Sequence, residues 1–386
     1  MANANLTNAK KAKNDEFYTQ YHDIEKEINA YIEYNPDVFR GKTVFLPCDD
    51  PEWSNFTKFF AQKFQDFWLK KLISTSYAKD SKACKSDLQL SLLEKNSPKY
   101  DASKSDIKWK IFTLTHDITW DWKININDLE WEYLNGDGDF RSDEITSLKD
   151  EADIIITNPP FSLFREFLSW IVEADKKFLI IWNMNAITYK EVFPLIRNNK
   201  LWLWNNYRVN WGAMFYEIPE EIANLWQIRE IKINENWKKV YMTRVQGVRW
   251  FTNLEHWRLH ESIPLMTESD VIKFVTKQPF LKYDNYDAIE VPLVKNIPSD
   301  YNWVMWVPIS FMDKYCFEQF EILWTNDNWL VDNEYKLTPW LTKQFVDDYY
   351  KGWGTWAYKE WNPTAWYYEN WVAKMAYKRI FIKHKK

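Results

Sequence analysis

Asp153-Ile-Ile-Ile-Thr157, followed at once by Asn158-Pro159-Pro160-Phe161, is the stretch of sequence that decides the fold. A short apolar run bounded by turn residues predicts a buried strand of a parallel sheet. The pattern then predicts a helix from Leu163 to Ala174 and a second buried strand from Lys177 to Trp182. The polar tetrapeptide therefore stands at the carboxyl end of a strand, which is where open α/β sheets bind their ligands.

The preceding sequence shows the same alternation of strands and helices. An amphipathic helix is predicted over Asp23–Ile32, a strand over Thr43–Cys48, a helix over Ser54–Phe67 and a strand over Lys71–Thr75. The acidic turn Asp49-Asp50-Pro51 separates the first strand from its helix. Strand, turn, helix and strand form the βαβ unit of a parallel sheet, so the sequence predicts a doubly wound α/β fold.

The regular alternation does not extend over the whole chain. Residues 77–108 are rich in Ser, Lys and Asp and predict a solvated loop with one helical piece. Beyond residue 205 the pattern becomes one of short strands, aromatic residues and prolines. We therefore expect a first domain over residues 1–205 and a second region over residues 206–386.

Length and composition exclude several classes of protein. The 386 residues are 46% hydrophobic and 27% charged, which is ordinary globular usage and excludes a disordered or collagen-like chain. No apolar run approaches the roughly 18 residues that a membrane span needs, and the first residues lack the apolar core of a secretory signal. Three widely spaced cysteines favour neither a disulfide framework nor a metal site. We expect a soluble, cytoplasmic protein without a membrane segment.

Tryptophan and glycine usage is unusual. The chain has 25 Trp and 7 Gly, whereas ordinary usage predicts roughly 27 Gly in a chain of this length. Several Trp stand where a turn favours glycine, as in Thr-Trp120-Asp-Trp122-Lys and Gly352-Trp353-Gly354. Our hypothesis is that many of these Trp are glycine in the organism, because UGA codons have been translated as Trp. The alternative is a genuinely Trp-rich protein, such as a carbohydrate-binding module.

The Asn158-Pro-Pro-Phe161 tetrapeptide is suited to methyl transfer to an amino nitrogen. An amine conjugated to a ring is a poor nucleophile, because its lone pair is delocalised. The side-chain oxygen of Asn158 and the carbonyl of Pro159 can each accept one of its N–H groups and so aim the lone pair at a methyl sulfonium. Phe161 can stack on a flat base that has left the duplex. The alternative is a rigid turn that only starts the next helix.

A methyl donor needs its own site, and three segments fit one. The turn Asp49-Asp50 can face the cationic end of S-adenosylmethionine, and Phe17-Tyr18-Thr19 offers aromatic rings and a hydroxyl. Asp139-Phe140 can hydrogen-bond to the donor's adenine and stack on it. Taken singly, each segment is only weak evidence for a donor site, since an acidic turn more often caps a helix than binds a ligand.

Several longer stretches resemble the EcoRI-type adenine-specific DNA methyltransferases. They are Asn14–Thr19, Cys48–Pro51, Asn135–Phe140, Thr157–Glu166, Arg249–Glu255, Met305–Phe311 and Gln319–Leu323. The resemblance implies a Rossmann-like S-adenosylmethionine-dependent methyltransferase fold and N6-methylation of adenine in duplex DNA. It also implies that residues 1–205 are catalytic, that residues 206–386 are largely a target-recognition region, and that a restriction endonuclease is a possible functional companion.

The resemblance matches Asn158, Pro159, Pro160 and Phe161 to the catalytic motif. The candidate donor-binding residues are Phe17, Tyr18, Thr19, Cys48, Asp49, Asp50, Asp139 and Phe140. The chain departs from the pattern in lacking the glycine-rich turn that methyltransferases have after the first strand. Five Trp stand where the family leads us to expect Gly, namely Trp182, Trp257, Trp303, Trp306 and Trp324, whereas Trp250 matches a Trp of the family.

Other functions are compatible with parts of the sequence. The same tetrapeptide would serve methylation of RNA or of a protein glutamine, and the Trp content would suit a non-catalytic binding protein. The absence of a Gly-x-Gly-x-x-Gly motif argues against a nicotinamide dehydrogenase. His256 and His260 have a spacing that can bind zinc on a helix, but a solvated helix face is the simpler interpretation and we expect no metal. The net charge of −5 does not favour a purely electrostatic DNA binder.

Overall fold

A computed structural model of the chain describes residues 18–47, 49, 54–76, 110–136, 138–159, 163–204, 213–218, 228–233, 239–284, 286–325, 343–355, 365–376 and 379–385. The chain forms two compact units. The first comprises Met1–Ala186 and Trp202–His256, and the second comprises Ile187–Leu201 and Trp257–Lys386. No helix among these described residues is long and apolar enough to cross a lipid bilayer.

The described residues of the first unit form two sheets. In chain order its strands are β1 (Tyr18–Thr19), β2 (Thr43–Leu46), β3 (Lys71–Ser76), β4 (Lys110–Leu114), β5 (Glu130–Tyr133), β6 (Ile154–Thr157), β7 (Lys177–Asn183), β8 (Trp202–Trp204), β9 (Ala213–Ile218), β10 (Ile228–Ile233), β11 (Lys239–Gln246) and β12 (Val248–Thr252). The larger sheet has eight strands in the order β5-β4-β3-β2-β6-β7-β12-β8, and the smaller has the order β1-β9-β11-β10.

Parallel pairing defines the middle of the larger sheet. Strand β2 pairs with β3 on one side and with β6 on the other, and β6 pairs with β7, all in parallel. Every residue of β2 and of β6 is buried, as expected for apolar strands covered on both faces. After β2 the chain adds β3, β4 and β5 in turn on one side of β2, and it then returns to add β6 and β7 on the other side. This reversal of strand order is the switch point at which α/β sheets bind ligands.

The helices of the first unit are α1 (Tyr21–Tyr34), α2 (Asn55–Gln62), α3 (Asp143–Glu151) and α4 (Phe164–Val172). Serine starts two of them: Ser54 accepts a hydrogen bond from the amide of Phe56 at 3.1 Å, and Ser142 accepts one from the amide of Ile145 at 3.3 Å. Each hydroxyl satisfies an amide that has no partner within its helix. The apolar faces of α2 and α4 are buried, with Phe56, Phe59 and Phe60 on α2 and Phe164, Phe167, Leu168 and Ile171 on α4.

The second unit has its own sheets and its own core. Its strands are β13 (Leu281–Lys282), β14 (Ile289–Glu290), β15 (Met305–Pro308), β16 (Phe320–Thr325), β17 (Ala365–Glu369), β18 (Val372–Ala376) and β19 (Arg379–His384), and its helices are α5 (Phe193–Arg197), α6 (Glu268–Val271) and α7 (Lys343–Lys351). Five strands form a sheet in the order β13-β14-β15-β19-β16, and β17 and β18 form a hairpin. Trp306 and Trp324 are buried in the core of this unit.

The sequence predicted the elements around the switch point. Strands β2, β3, β6 and β7 and helices α1 and α4 confirm the predictions to within a few residues at each end. Helix α2 is shorter than the predicted Ser54–Phe67, because the chain forms turns after Gln62. The helical piece predicted within residues 77–108 lies outside the described residues.

The compact units do not divide at residue 205, where the sequence pattern placed the boundary. Strand β12 belongs to the larger sheet, because it pairs antiparallel with β7 on one side and with β8 on the other. Residues 187–201, which precede the predicted boundary, belong to the second unit. The assignment of catalysis to one part and target recognition to the other stays a prediction.

Candidate functional site

Asp49 lies shortly after strand β2, beyond Pro47, and is held by hydroxyl groups of the neighbouring elements. The Ser54 hydroxyl donates to the Asp49 carboxylate oxygen Oδ1 at 2.7 Å. The backbone carbonyl of Asp49 accepts from the hydroxyl of Thr57, at 2.7 Å, and also from that of Ser74 on β3. Asp49 is buried. Helix α2 and strand β3 thus fix a carboxylate at the carboxyl end of β2.

Asn158 follows strand β6 and is placed by a contact to the end of β2. The hydroxyl of Thr157, the last residue of β6, donates to the backbone carbonyl of Pro47 at 2.8 Å. Pro47 directly follows β2, so this hydrogen bond joins the ends of the two parallel strands on either side of the switch point. Asn158 is half-buried and Pro159 is buried. The first two residues of the predicted catalytic motif therefore lie at the same edge of the sheet as Asp49.

Thr19 is brought to this edge from the N-terminal part of the chain. The side-chain amide of Asn55, the first residue of α2, donates to the Thr19 carbonyl at 2.8 Å. Asn55 adjoins Ser54, the residue that binds Asp49. Thr19 itself is buried. The predicted donor-binding segment near residue 19 and the predicted acidic turn are thus held by consecutive residues at the start of one helix.

Asp139 and Phe140 contact the helix that follows the catalytic motif. The Arg141 guanidinium binds both carboxylate oxygens of Asp139, at 2.9 and 2.6 Å, and Glu166 of α4 at 2.9 Å. Hydrogen bonds from Arg141 lower the pKa of the Asp139 carboxyl. Phe140 is buried, and its ring meets those of Phe167 and Trp170 edge to face at 5.4 and 5.5 Å. These contacts join the segment around residue 140 to α4.

Phe164, at the start of α4, packs against the sheet. Its ring stacks on that of Trp182 of β7, with 4.2 Å between ring centroids and 6° between ring planes. Strand β12 pairs with β7, and its residue Arg249 lies opposite Trp182. The Arg249 side chain is buried and donates a hydrogen bond to the carbonyl of Val248 at 2.9 Å. Pairing with β12 therefore fixes the end of β7.

Several predicted site residues are not described by the structure. Phe17, Cys48, Asp50, Pro160 and Phe161 lie outside the described residues, and Tyr18 is described only as a residue of β1. The described candidates are Thr19, Asp49, Asp139, Phe140, Asn158 and Pro159. Of these, Thr19, Asp49, Asn158 and Pro159 lie at the carboxyl edge of strands β2 and β6 or are bonded to residues there.

Sequence reasoning missed the residues that support the site. Ser54, Thr57 and Ser74 hold Asp49, but only Ser54 had a visible signal, as a serine directly before a helix. Arg141, which connects Asp139 with Glu166, had no signal in the sequence, because the sequence does not show that these two acidic residues are neighbours in space. His256 is buried against the ring of Tyr31, at 5.5 Å, so the expectation of a solvated helix face was wrong for it. Within the described part of the chain, no cluster of His, Cys, Asp and Glu is suited to a metal ion.

The α/β arrangement with a large mixed sheet is consistent with the fold of a methyltransferase. The chain matches the family described as "Adenine-specific methyltransferase EcoRI" over residues 5–385, and it belongs to that family. It is an enzyme that methylates adenine in DNA.

Curated relatives agree with this family. The chain is 41% identical over 318 residues to the Type II methyltransferase M.EcoRI of Escherichia coli. The matched region covers 82% of this chain and 88% of that protein. It is 33% identical over 317 residues to M.MgeORF184P of Mycoplasma genitalium, with 82% and 84% of the two chains covered. It is 31% identical over 315 residues to M.MpnI of Mycoplasma pneumoniae, with 82% and 83% covered. None of the solved structures matches the chain.

Proposed function

We propose that this chain transfers a methyl group from S-adenosylmethionine to the N6 nitrogen of an adenine that has been extruded from duplex DNA. The observation that carries the proposal is the hydrogen bond from Thr157 to the Pro47 carbonyl, at 2.8 Å. It places Asn158 at the end of β6 beside the strand end that carries Asp49. An acceptor of amine protons and a carboxylate for a cationic donor thereby lie at adjoining strand ends.

Asn158 and Pro159 act on the adenine amine in this proposal. The N6 lone pair is delocalised into the purine ring, so the nitrogen becomes nucleophilic only as it turns tetrahedral. The Asn158 side-chain oxygen and the Pro159 carbonyl accept the two N–H groups in that geometry and stabilise the growing positive charge on nitrogen. No strong base is required, because the proton leaves after the nitrogen has become cationic. Pro160 and Phe161, by their place in the sequence, complete the turn and stack on the base.

Asp49 and the residues around it suit the donor. When bound, S-adenosylmethionine supplies an electrophilic methyl group on a sulfonium, and its amino-acid end carries a cationic amine. A buried carboxylate is costly without compensating hydrogen bonds or charge, and Asp49 is buried and accepts a hydrogen bond from the Ser54 hydroxyl. The chemistry of this residue therefore fits the cationic part of the donor. Thr19, Cys48, Asp50, Asp139 and Phe140, with Phe17 and Tyr18, complete the proposed donor site.

We also infer a biological setting for the enzyme. Its relatives in Escherichia coli and in two Mycoplasma species are named Type II methyltransferases, the modification enzymes of restriction-modification systems. We propose that this chain protects a DNA sequence from a companion endonuclease in the cytoplasm. The region after residue 205 would contribute most of the surface that recognises this sequence.

Product analysis tests the chemistry of the proposal. The purified enzyme is incubated with duplex DNA and tritiated S-adenosylmethionine, and the DNA is then digested to nucleosides and separated. We expect the label in N6-methyladenine, and none when unlabelled S-adenosylmethionine competes in excess. RNA and whole-cell protein serve as alternative substrates in parallel reactions. Label in methylcytosine, in RNA or in glutamine would contradict the proposal.

A further inference from the structure

Among the residues that the structure describes, five tryptophans have a backbone conformation that favours glycine. Trp68, Trp120, Trp122, Trp353 and Trp371 have φ values of 53°, 61°, 65°, 64° and 61°. The left-handed region is costly for residues with a bulky side chain, because Cβ crowds the backbone, and glycine is the residue that adopts it freely. All five side chains are exposed, by 64 to 92%. Burial of the indole rings therefore does not compensate for the strain.

Trp68 ends the turn that follows α2 in a motif that normally requires glycine. Its amide donates to the carbonyl of Gln65 at 3.1 Å, and the next amide, that of Leu69, donates to the carbonyl of Phe64 at 3.1 Å. These two bonds form the Schellman motif, whose left-handed residue is usually glycine. The Arg40 guanidinium lies 5.1 Å from the Trp68 ring, but this contact is at the surface and does not set the backbone angle.

Trp353 occupies the same position after α7. Its amide donates to the carbonyl of Tyr350 at 3.2 Å, and the amide of Gly354 donates to the carbonyl of Tyr349 at 2.9 Å. The hydrogen bonds are again those of a Schellman motif, with Trp353 as the left-handed residue. The backbone hydrogen bonds fix the left-handed angle whatever the side chain, so the position favours glycine over tryptophan.

Two other helices of the protein show which residues normally replace glycine there. Asp175 follows α4 and Asn199 follows α5, each with the same pair of backbone bonds and with φ of 50° and 53°. Asp and Asn tolerate the left-handed region better than other residues with a side chain. Tryptophan has no such tolerance, so its presence at two of these four helix ends has no conformational explanation.

Trp371 lies in a hairpin turn with a strong sequence preference. Glu369 of β17 pairs with Val372 of β18, which leaves Asn370 and Trp371 as a two-residue loop. Both loop residues have positive φ, 50° and 61°, as a type I′ turn requires. Asn-Gly is the favoured dipeptide of this turn. The hairpin therefore predicts glycine at position 371.

Trp120 and Trp122 belong to one loop whose backbone is fixed by a carboxylate. The two oxygens of Asp117 accept hydrogen bonds from the amides of Trp120 and Trp122, at 2.7 and 2.8 Å. Two left-handed residues, separated by Asp121, allow the chain to curl around Asp117. Both indole rings are about nine-tenths exposed, at 88 and 92%. They contribute no burial that would favour tryptophan.

We infer that positions 68, 120, 122, 353 and 371 are glycine in the protein that the organism makes, and that their codons are UGA. Three different local structures, a helix end, a hairpin turn and a carboxylate-centred loop, each favour glycine over tryptophan for an independent reason. None of the five other tryptophans at which we expected glycine has a positive φ, so their backbone does not favour glycine: Trp182, Trp257, Trp303, Trp306 and Trp324. Trp250, which is buried in β12, is expected to be a genuine tryptophan with a UGG codon.

Coding DNA and native protein test this inference directly. We expect UGA at the five positions and UGG at position 250. Peptides of the enzyme purified from its own organism should carry the mass of glycine at the five positions and of tryptophan at position 250. UGG codons at the five positions, or peptides with tryptophan there, would overturn the inference.

A variant series tests the physical argument independently of the gene. Three proteins are expressed from synthetic genes, with Trp, Ala or Gly at all five positions, and their Tm values are compared. The Gly protein should have the highest Tm, by about 2–4 °C per site over Trp, and should also exceed the Ala protein, because alanine is strained at positive φ as well. Trp250→Gly is the matched control and should lower Tm. A Gly protein that is no more stable than the Ala protein would overturn the conformational argument.

Discussion

The Thr157 hydroxyl donates a hydrogen bond of 2.8 Å to the backbone carbonyl of Pro47, a residue 110 positions earlier in the chain. Thr157 ends strand β6 and Pro47 follows strand β2, so the bond joins the two strands at the point where the order of the sheet reverses. Both groups are buried. The bond therefore fixes the spacing between the segment that begins at Asn158 and the segment that contains Asp49.

Replacing Thr157 by valine tests this relationship. Valine keeps the shape of threonine but leaves the buried Pro47 carbonyl without this donor, so we expect a loss of about 1–3 kcal/mol in the free energy of unfolding. The rate of methyl transfer should fall as well, because the two strand ends lose their common anchor. Urea unfolding and single-turnover kinetics measure the two effects. Thr157→Ser keeps the hydroxyl and should retain most of the stability and most of the rate of methyl transfer. A valine variant with unchanged stability and rate would disprove the structural role of this hydrogen bond.

Asp49→Asn should weaken binding of the methyl donor. The substitution preserves the size of the side chain and an oxygen that can accept from Ser54, but it removes the negative charge that we assign to the cationic end of the donor. We expect the Kd for S-adenosylmethionine, measured by calorimetry, to rise at least about tenfold, which is 1.4 kcal/mol.

Asp153→Asn is the matched control for the donor site. Asp153 lies before β6, at the opposite end of the strand, and accepts a hydrogen bond from the amide of Thr43 at 2.8 Å. Its substitution should leave the donor affinity unchanged, although it can reduce stability. Equal effects of the two substitutions on the Kd would show that the charge of Asp49 has no specific role.

Arg141→Gln should change how stability depends on pH. Hydrogen bonds from Arg141 hold the pKa of Asp139 below its ordinary value. A carboxyl whose pKa is lower in the folded state stabilises the protein above its unfolded pKa, and this contribution is lost as the pH falls through the folded pKa. Removing the guanidinium should therefore make the acid-side loss of stability less steep. Urea unfolding at a series of pH values from neutral to acid measures this slope, and an unchanged slope would contradict the assignment.

Phe140→Ala should reduce stability more than it reduces donor binding. The ring is buried and contacts Phe167 and Trp170 edge to face, so its removal leaves a cavity. We expect a loss of about 3–5 kcal/mol in the free energy of unfolding. Phe140→Leu restores most of the volume and should recover most of the stability. Calorimetry on the Leu variant then measures the contribution of the Phe140 ring to donor binding, because leucine fills the cavity but cannot stack on the adenine of S-adenosylmethionine.

The sequence predicted the elements around the switch point because their signals are local. Three isoleucines before Thr157 and an apolar run after Thr43 are visible without any knowledge of the fold. The sequence also predicted that the Asn158 segment follows the carboxyl end of a parallel strand, where open α/β sheets bind their ligands.

The parts that the sequence did not predict depend on contacts between distant residues. Strand β12 enters the larger sheet between β7 and β8, and its five residues carry no signal for this position. The hydroxyls of Thr57 and Ser74 hold the Asp49 carbonyl from two different elements, and Arg141 connects residues 25 positions apart when it binds Glu166. Side chains of this kind are ordinary polar residues in the sequence. Only the folded chain gives them their role.

In the proposed mechanism Asn158 takes part in methyl transfer to adenine. Single-turnover transfer of tritiated methyl groups to duplex DNA, measured for the wild type and for Asn158→Ala, tests it most directly. The rate constant should fall at least about tenfold, equivalent to 1.4 kcal/mol, while the Kd for S-adenosylmethionine stays the same, because Asn158 acts on the amine and not on the donor. An Asn158→Ala enzyme that methylates adenine at the wild-type rate would contradict the account.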